Sequence, residues 1–343
     1  MRHLLNTLFV TTESAYLTLD GENVVIKNEG EELGRLPLHT LESIFSFTYA
    51  GASPALMGAC AQRNVALSFL TPTGKFLAKS SGASQGNVLL RRTQYRVADQ
   101  EAVACRVARN FIFGKVYNCR WVIERTLRDH ALRVDEAALH DASQKLHDAL
   151  PAIASAETPG ELLGLEGAAA TVYFGIFDQL ILNEKEAFFF HGRNRRPPLD
   201  NVNALLSFTY TLLASDCAAA LEAVGLDSYV GFFHRDRPGR TSLALDLMEE
   251  LRPSLADRFV LTLLNTKALT PADFICRESG AVVLTDSARR TLLKAWQAHK
   301  QEQITHPYLD EKMPWGLVPY VQALLLARYL RDDLDGYPPF LWK

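Results

Sequence analysis

The sequence lacks the signatures of several large enzyme classes. It has no GxxxxGK[ST] loop and no GxGxxG fingerprint, so it lacks the phosphate cradles used in nucleoside triphosphate hydrolysis and dinucleotide binding. HExxH is absent as well. The five cysteines are scattered without a CxxC pair, which argues against a zinc cluster or a disulfide framework and fits a reducing cytoplasm.

Long uncharged apolar stretches are also missing. The longest stretch free of Asp, Glu, Lys and Arg runs from Ser43 to Gln62, and it contains two glycines and Pro54, which a membrane span tolerates poorly. The N-terminal MRHLLNTLFVTT has too short an apolar part, and no small-residue cleavage site, for a secretory signal. We therefore expect a cytoplasmic protein that makes no contact with a membrane.

What is present is an ordinary globular composition. The 343 residues are 48% hydrophobic and 22% charged, and this length suits about two domains. The formal net charge of -3 argues against a uniformly basic protein that coats nucleic acid. The pattern predicts an α+β fold with a small β-rich N-terminal domain over 1–79, a linker over 80–86, and a larger all-α domain over 87–343.

The domain division follows from a change of periodicity. Alternating residues predict strands over 15–19, 24–26 and 65–70, with a hairpin turn at Asp20-Gly21-Glu22-Asn23 and one short helix over 54–63. Beyond the small, polar segment 80–86 the apolar spacing becomes helical. The predicted helical stretches are 96–133, 161–182, 202–224, 242–265, 286–300 and 315–331.

The near-neutral net charge conceals segregation of the charges. The segment 91–133 holds ten basic and four acidic residues, whereas 134–168 holds seven acidic residues and one lysine. Two loops are also basic, and basic patches of this kind can neutralise phosphates, although a charge run is commonly a solvated face. The loop candidates for phosphate contacts are Arg193, Arg195, Arg196, Arg235, Arg237 and Arg240.

The most informative single residue is Glu166. From Leu162 to Leu182 the charged residues are Glu166 and Asp178, so we expect a helix that is buried nearly all round. A carboxylate there is costly unless it is paired, protonated or bound to a metal ion. A structural pair with an arginine is the alternative to a functional role.

A second acidic group lies on a predicted helix over 243–251. Asp246 shares a helical face with Glu249 and with Glu250, and like charges at these spacings repel unless a cation lies between them. His234 precedes this helix in a Gly/Pro-rich turn. Together with Glu166 these residues form an oxygen-rich set with one imidazole, which suits Mg²⁺ or Mn²⁺ and metal-assisted phosphodiester chemistry.

Each of these residues could instead have a purely structural role. The acids could be the solvated edge of an amphipathic helix, and a lone histidine is commonly structural. Glu250 has the weakest claim to a functional role, because it could form a surface ion pair with a neighbouring arginine.

Longer segments carry a resemblance to a known family. These segments are MRHLLNTLFVTTESAYLTLDGENVV, YAGASPALMGACAQRNVALSFLTPTGKFLA, LLGLEGAAATVYF, RNRRPPLDNVNALLSFTYTLL, GFFHRDRPGRTSLALDLMEELRP and QITHPYLDEKMPWGLVPYVQALLLARYLRDDLDGYPPFLW. Together they resemble the CRISPR-associated adaptation integrase, the endonuclease subunit that inserts new spacers into the repeat array, and they look closest to the subtype I-C branch. The likeness spans essentially the whole chain.

The resemblance implies a β-sandwich-like N-terminal domain that mediates dimerisation and a helical catalytic domain. It also implies a divalent metal ion held by Glu166, His234 and Glu249, with Asp246 close to the metal. Glu249 stands where the family pattern often has Asp. The implied partners are double-stranded DNA, both spacer precursor and repeat array, a second copy of the chain, and a small ferredoxin-like adaptation subunit.

The implied reaction is attack of a spacer 3′-hydroxyl on a phosphodiester of the repeat. This transesterification needs no ATP, which agrees with the missing phosphate loop. Two other functions stay open at this point: a non-catalytic DNA-binding scaffold in which the acids are structural, and a hydrolytic nuclease that acts on branched DNA in repair.

Overall fold

The computed structural model describes residues 5–12, 14–80, 88–194 and 197–343. The chain forms two compact units, one made of Met1–Gln85 with Leu284–Glu302 and the other of Gly86–Val283 with Gln303–Lys343. The segment 284–302 therefore joins the strand-rich unit, whereas the sequence placed it in the helical domain. The predicted linker over 80–86 lies, apart from Ser80, outside the described residues.

The first unit contains two sheets. Its strands are β1 (Asn6–Val10), β2 (Tyr16–Asp20), β3 (Asn23–Asn28), β4 (Glu31–Pro37), β5 (Leu41–Ser46), β6 (Ala66–Leu70) and β7 (Phe76–Ser80). A four-stranded sheet has the order β1-β5-β6-β7, in which β1 and β6 run parallel to β5 and β7 runs antiparallel to β6. The second sheet, β2-β3-β4, is antiparallel.

The local sequence explains the β2–β3 hairpin and the one helix between the strands. Gly21 adopts φ +58° in the tight turn, where a Cβ would be disfavoured. Helix α1 (Pro54–Gln62) begins with Ser53, whose side chain accepts the Leu56 N–H at 3.2 Å, and with a proline in its first turn. Side chains from both sheets and from α1 share one apolar core, which includes Leu17, Ile44 and Leu56.

The second unit is mainly helical. Its helices are α2 (Val88–Ala98), α3 (Glu101–His130), α4 (Glu136–Ser155), α5 (Pro159–Ile176), α6 (Asn201–Ala223), α7 (Ser242–Leu251), α8 (Arg258–Asn265) and α10 (Val318–Leu330), while α9 (Asp286–Gln301) belongs to the first unit. The long helix α3 packs against α4, α5 and α7, so residues on different sides of α3 meet different helices.

The expectation of an all-α second domain needs a correction. Two short two-stranded ribbons follow α8 in the chain: β8 (Phe274–Cys276) pairs with β9 (Val282–Leu284), and β10 (Gln303–Thr305) pairs antiparallel with β11 (Lys312–Pro314). Each strand has three residues, which is too short for an alternating pattern to register in the sequence. The coarser prediction, a strand-rich N-terminal region followed by a mostly helical one, is confirmed.

Two helical segments of the second unit are unusual. A π-helical turn, Arg252–Asp257, separates α7 from α8, and it contains Pro253, which has no N–H to continue the α-helical ladder. In the described part of the chain one helix, α6, is long and apolar enough to cross a membrane by length and composition. Its most apolar window is 61% buried inside the protein, as in the core helix of a globular unit.

Candidate active site

The residues singled out in the sequence come from three elements of the second unit. Helix α5 carries Glu166, the loop between α6 and α7 carries His234, and α7 carries Asp246 and Glu249. Helix α3 adds Lys115, which the sequence analysis did not single out. We call Glu166, His234, Asp246 and Glu249 the acidic centre.

A buried lysine joins two members of the acidic centre. The Lys115 ammonium forms an ion pair with Glu166 Oε1, and its Nζ lies 2.7 Å from Glu249 Oε2. The side chains of Lys115 and Glu249 are 4% and 7% exposed, whereas those of Glu166 and His234 are 17% and 25% exposed. The centre is therefore reached from solvent on the side of Glu166 and His234.

Glu249 is held between two cations. Arg252, one turn further along the chain, places Nη2 3.2 Å from the same Oε2 and Nη1 3.4 Å from Oε1. Burial opposes ionisation of Glu249, but Arg252, Lys115 and His234 together outweigh it and lower its pKa to about 2. Glu249 is therefore a carboxylate at neutral pH.

The oxygen Oε2 of Glu249 is unusual within this group. It lies within ion-pair distance of Lys115 and Arg252, yet it accepts no well-aligned hydrogen bond in the described structure. Its contacts are therefore electrostatic and lack the geometry of a saturated acceptor. A buried carboxylate oxygen that attracts two cations is also the type of ligand that a hard divalent cation prefers.

Asp246 organises the loop that carries His234. Its fully buried carboxylate accepts the backbone N–H groups of Phe232 at 2.6 Å, Phe233 at 2.9 Å and His234 at 2.9 Å. His234 Nδ1 lies 2.7 Å from the same carboxylate. We call this arrangement the Asp246 cradle. An Nδ1–H donated to Asp246 leaves Nε2 as the ring nitrogen that points to a ligand, which is the usual arrangement of a metal-binding histidine.

Two residues shape the backbone around the Asp246 cradle. A Cβ on Gly231 would lie 2.8 Å from Asp246 Oδ2 and 2.9 Å from Ser242 Cβ, so a larger residue there would force the loop away. Gln94 of α2 is fully buried and bonds the loop at its other end, donating to the carbonyls of Asp227 and Val230 at 2.8 Å each. The loop is thus fixed from both sides.

The surroundings of Glu166 differ from the sequence prediction. Helix α5 is not buried nearly all round: its buried side chains are Leu162, Ala169 and Tyr173, and Gly164 and Gly167 are exposed. The low charge of this stretch reflects small residues, which cost little on a surface. The partner of Glu166 is Lys115 and not an arginine.

The expectation for Glu250 was wrong. Glu250 is fully buried and forms no surface ion pair; it accepts hydrogen bonds from the Tyr337 hydroxyl, from Gln322 Nε2 at 3.1 Å and from the Phe340 N–H at 2.8 Å. Burial raises its pKa to about 7 against these hydrogen bonds. Glu250 therefore anchors the C-terminal segment, on a different side of α7 from the acidic centre. The helical register explains this, because Glu249 and Glu250 project about 100° apart.

The six candidate arginines fall into four groups. Arg235 and Arg237 are exposed, as a phosphate-binding role requires, and Arg240 is partly buried with its Nε 3.3 Å from Ser242 Oγ. Arg193 is engaged within the fold: it hydrogen-bonds Asn203 and stacks over Tyr210 at 5.0 Å, so its part in a phosphate surface is not supported. Arg195 and Arg196 lie outside the described residues.

The donor set fits a divalent cation in its chemistry, although another cation stands among the donors. Two carboxylates and an imidazole are ligands that Mg²⁺ and Mn²⁺ accept. Among the described residues no group of three His, Cys, Asp or Glu side chains is gathered closely enough to hold a metal ion as it stands. The ammonium of Lys115 lies between the two carboxylates, which accounts for their separation.

Sequence reasoning missed Lys115 and Arg252, and a signal existed for both. Lys115 is the sole charged residue of FIFGKVYNC, residues 111–119 of an apolar helix, where a lysine needs a buried partner. Arg252 follows Glu249 by three residues, the spacing of a helical ion pair. The net charge of 91–133 does not show this isolation, because nine other basic residues lie in the same segment.

The fold and the site together define a class of protein: one with a strand-rich unit and a mainly helical unit that carries a centre of acids and one imidazole. A family model described as CRISPR associated protein Cas1 matches residues 8–298. A CRISPR-associated endonuclease Cas1 of Rhodospirillum rubrum is 51% identical over 347 residues, and one of Chlorobaculum tepidum is 48% identical over 343 residues, each match covering 100% of both chains. The chain belongs to the Cas1 family of CRISPR-associated endonucleases.

Solved structures share the fold at lower identity. A casposase bound to its integration product superposes with a TM-score of 0.84 and 23% identity, covering 99% of this chain and 95% of that one. A chain of a Cas6-RT-Cas1–Cas2 complex superposes with a TM-score of 0.81 and 23% identity, and the match covers 99% of this chain and 36% of that one. Because each match covers 99% of this chain, the shared fold includes both units.

Proposed function

We propose that this protein is a metal-dependent DNA endonuclease and integrase that inserts spacer DNA into a CRISPR repeat array. The observation that carries the proposal is the convergence of Glu166 and Glu249 on one buried cation beside His234, which the Asp246 cradle orients. A non-catalytic scaffold has no need of one buried and one partly buried carboxylate aimed at a single buried cation, because such pairs bring little net stability.

The residues of the acidic centre have distinct roles in this proposal. Glu166, His234 and Glu249 would hold Mg²⁺ or Mn²⁺, and the bound ion would supply polarisation of the scissile phosphate and stabilisation of the leaving oxygen. Asp246 fixes the ring of His234 and its tautomer. Arg252 keeps Glu249 ionised and restrains its carboxylate, so that this ligand is positioned before any ion arrives.

The proposed reaction exchanges one phosphodiester for another. The 3′-oxygen of the spacer forms a bond to phosphorus as the bond from phosphorus to the 3′-oxygen of the repeat breaks. The proton lost by the attacking hydroxyl is balanced by the proton gained by the leaving oxygen. Because the number of phosphodiester bonds is unchanged, no nucleotide triphosphate is consumed.

The proposal includes the molecules that this protein meets. Its DNA substrates are the spacer precursor and the repeat array, and the exposed arginines Arg235 and Arg237 are placed to contact phosphates. The names of two structural neighbours, a casposase bound to its integration product and a complex that contains Cas2, support DNA and an adaptation subunit as partners. A homodimer and a small ferredoxin-like partner are further parts of the proposal.

Two finer assignments belong to the proposal as well. We place the chain in the subtype I-C branch because its long sequence segments resemble that branch. We also place it in the cytoplasm, where its DNA substrates are found and where its five free cysteines stay reduced.

The test is a strand-joining assay with the full-length protein. A labelled duplex and a repeat-containing plasmid are incubated with Mn²⁺ or with EDTA, with and without the partner subunit. The proposal predicts Mn²⁺-dependent transfer of label to the plasmid. Plasmid that is cut but never labelled would identify a hydrolytic nuclease, and binding without either product would identify a scaffold.

A further inference from the structure

One buried cation, the ammonium of Lys115, contacts two carboxylates of the acidic centre. Lys115 Nζ is bonded to Glu166 Oε1 and lies 2.7 Å from Glu249 Oε2, and these two carboxylates are the acidic ligands that the proposed function assigns to a divalent cation. The ammonium therefore stands between the two acids that a metal ion would have to join. A lysine side chain is a point charge that neutralises two carboxylates much as a small cation does.

A metal ion and this ammonium compete for the same carboxylates. Two cations within about 4 Å of one another repel strongly at the effective dielectric of a protein site. A carboxylate oxygen that already contacts an ammonium has fewer lone pairs for a metal ion. Binding of a divalent cation to Glu166 and Glu249 therefore requires Lys115 to withdraw.

The backbone around Lys115 leaves the side chain as the part that moves. At the adjacent Gly114 a Cβ would lie 2.9 Å from Glu250 Cβ and 3.2 Å from Pro339 Cβ, so α3 is in close contact with α7 and the C-terminal segment. Helix α3 cannot slide past α7 at such a contact without a clash. The ammonium is carried on four methylene groups, whose rotation moves it without displacing the helix.

Glu249 keeps a cationic partner when Lys115 withdraws. Arg252 pairs with Glu249 from the next turn of the helix, with Nη2 3.2 Å from Oε2. Withdrawal of the Lys115 ammonium therefore does not leave the buried Glu249 carboxylate without a counter-charge.

We propose that Lys115 is the resident counter-cation of the metal-free site, which a divalent cation must displace. This inference rests on the proposed function, because it takes Glu166 and Glu249 as metal ligands. Lys115 keeps the two carboxylates together in the absence of metal and lowers the affinity of the free protein for Mn²⁺. The site then exchanges its metal ion readily and does not hold it permanently.

The test measures Mn²⁺ binding by the whole protein in the absence of DNA. Mn²⁺ is titrated into the wild type, Lys115→Met, Lys115→Arg and the surface control Lys145→Met, and free Mn²⁺ is followed by electron paramagnetic resonance. Lys145 pairs with Asp141 on the exposed face of α4, so its loss leaves the acidic centre intact. We expect the Lys115→Met dissociation constant to fall by about tenfold or more, equivalent to about 1.4 kcal/mol, with Lys145→Met unchanged.

Lys115→Arg separates charge from shape. It retains the positive charge, so we expect its Mn²⁺ affinity to stay close to that of the wild type or weaken. Mn²⁺ affinity that is unchanged or weaker in Lys115→Met would overturn the inference. Glu166→Ala in the same titration tests the proposed function separately: loss of Mn²⁺ binding supports the metal site, whereas unchanged binding removes the site from Glu166 whatever Lys115 does.

A second readout guards against a folding defect. Removal of the ammonium leaves Glu166 and Glu249 facing each other, so the melting temperature of Lys115→Met in EDTA should fall below that of the wild type. The same excess of Mn²⁺ should then raise its melting temperature by more than it raises that of the wild type, because stabilisation by a ligand grows with the logarithm of its concentration over its dissociation constant. An equal or smaller rise would count against the inference.

Discussion

The carboxylate of Asp246 holds His234 at two points. It accepts the backbone N–H of His234 at 2.9 Å and contacts the ring Nδ1 at 2.7 Å. The position of the backbone and the orientation of the ring thus depend on one buried side chain. Asp246 is a positioning residue for the imidazole, and Glu249, on the same helix, is the acid that meets Lys115 and Arg252.

This relationship predicts the effect of Asp246→Asn. The amide keeps the size of the side chain but replaces one acceptor oxygen of the Asp246 cradle with an NH₂ group that faces donors. We expect strand joining to fall by about 10–100-fold, the typical cost of losing such a partner. The ring of His234 should lose its fixed tautomer, which a ¹⁵N spectrum of the imidazole detects. Wild-type joining together with an unaltered ring spectrum would contradict the assigned role.

Glu250 gives a prediction about stability. Glu250→Ala removes the acceptor of three donors, from Tyr337, Gln322 and Phe340, and leaves them buried. We expect a loss of about 2–4 kcal/mol in the free energy of unfolding, measured by denaturant titration. Glu250→Gln retains one acceptor oxygen and should lose less. Equal unfolding free energies for wild type and Glu250→Ala would show that the C-terminal segment does not depend on this residue.

The arginines provide a matched pair of variants. Arg237 is exposed, so Arg237→Ala should leave the melting temperature unchanged and make the log–log salt slope of DNA binding shallower by about 0.9 if one phosphate contact is lost. Arg193 bonds Asn203 and stacks on Tyr210, so Arg193→Ala should lower the melting temperature and leave the slope unchanged. The reverse pattern, with the slope altered by Arg193→Ala alone, would reassign the phosphate surface.

His306 predicts a pH dependence of stability. Its ring is buried, which lowers its pKa below 6.5, with the Gln322 contact at 3.1 Å acting in the opposite direction. Below about pH 6.5 the unfolded chain therefore binds a proton that the folded protein does not, so stability falls as the pH falls toward the folded pKa. His306→Asn removes this term. Between about pH 7 and about pH 5 the variant's melting temperature should fall less steeply than that of the wild type; parallel curves would contradict the assignment.

Much of the fold could be predicted because the periodicity of the chain changes at a small, polar segment. The hairpin at 20–23, the helix over 54–63 and most of the later helices follow from local patterns. Helix α4 was not predicted, because its segment stands out in the sequence by its acidic charge more than by its helical spacing. The membership of α9 in the strand-rich unit is a property of tertiary packing: its buried Lys300 lies 3.4 Å from Thr7 and 3.5 Å from Glu42.

The candidate site divides in the same way. Glu166, His234 and Glu249 carried signals in their own sequence neighbourhoods, namely an isolated acid, a turn histidine and an acidic helix. Lys115 lies more than fifty positions from Glu166 and Glu249 along the chain, so its bridging role depends on how α3 packs against α5 and α7. Local pattern cannot show which of two neighbouring acids, Glu249 or Glu250, faces that lysine.

The central claim is that the acidic centre carries out metal-dependent strand joining. The most direct measurement compares single-turnover joining of a labelled duplex to a repeat-containing plasmid by wild type, Glu166→Ala and Glu161→Ala in Mn²⁺, with DNA binding and melting temperature recorded for each. Glu161 lies in the exposed first turn of α5 and serves as the control on the same helix. We predict that Glu166→Ala joins about a hundredfold more slowly or not at all. We also predict that it folds and binds DNA like the wild type, and that Glu161→Ala joins normally. Full joining by a folded Glu166→Ala protein would contradict the account.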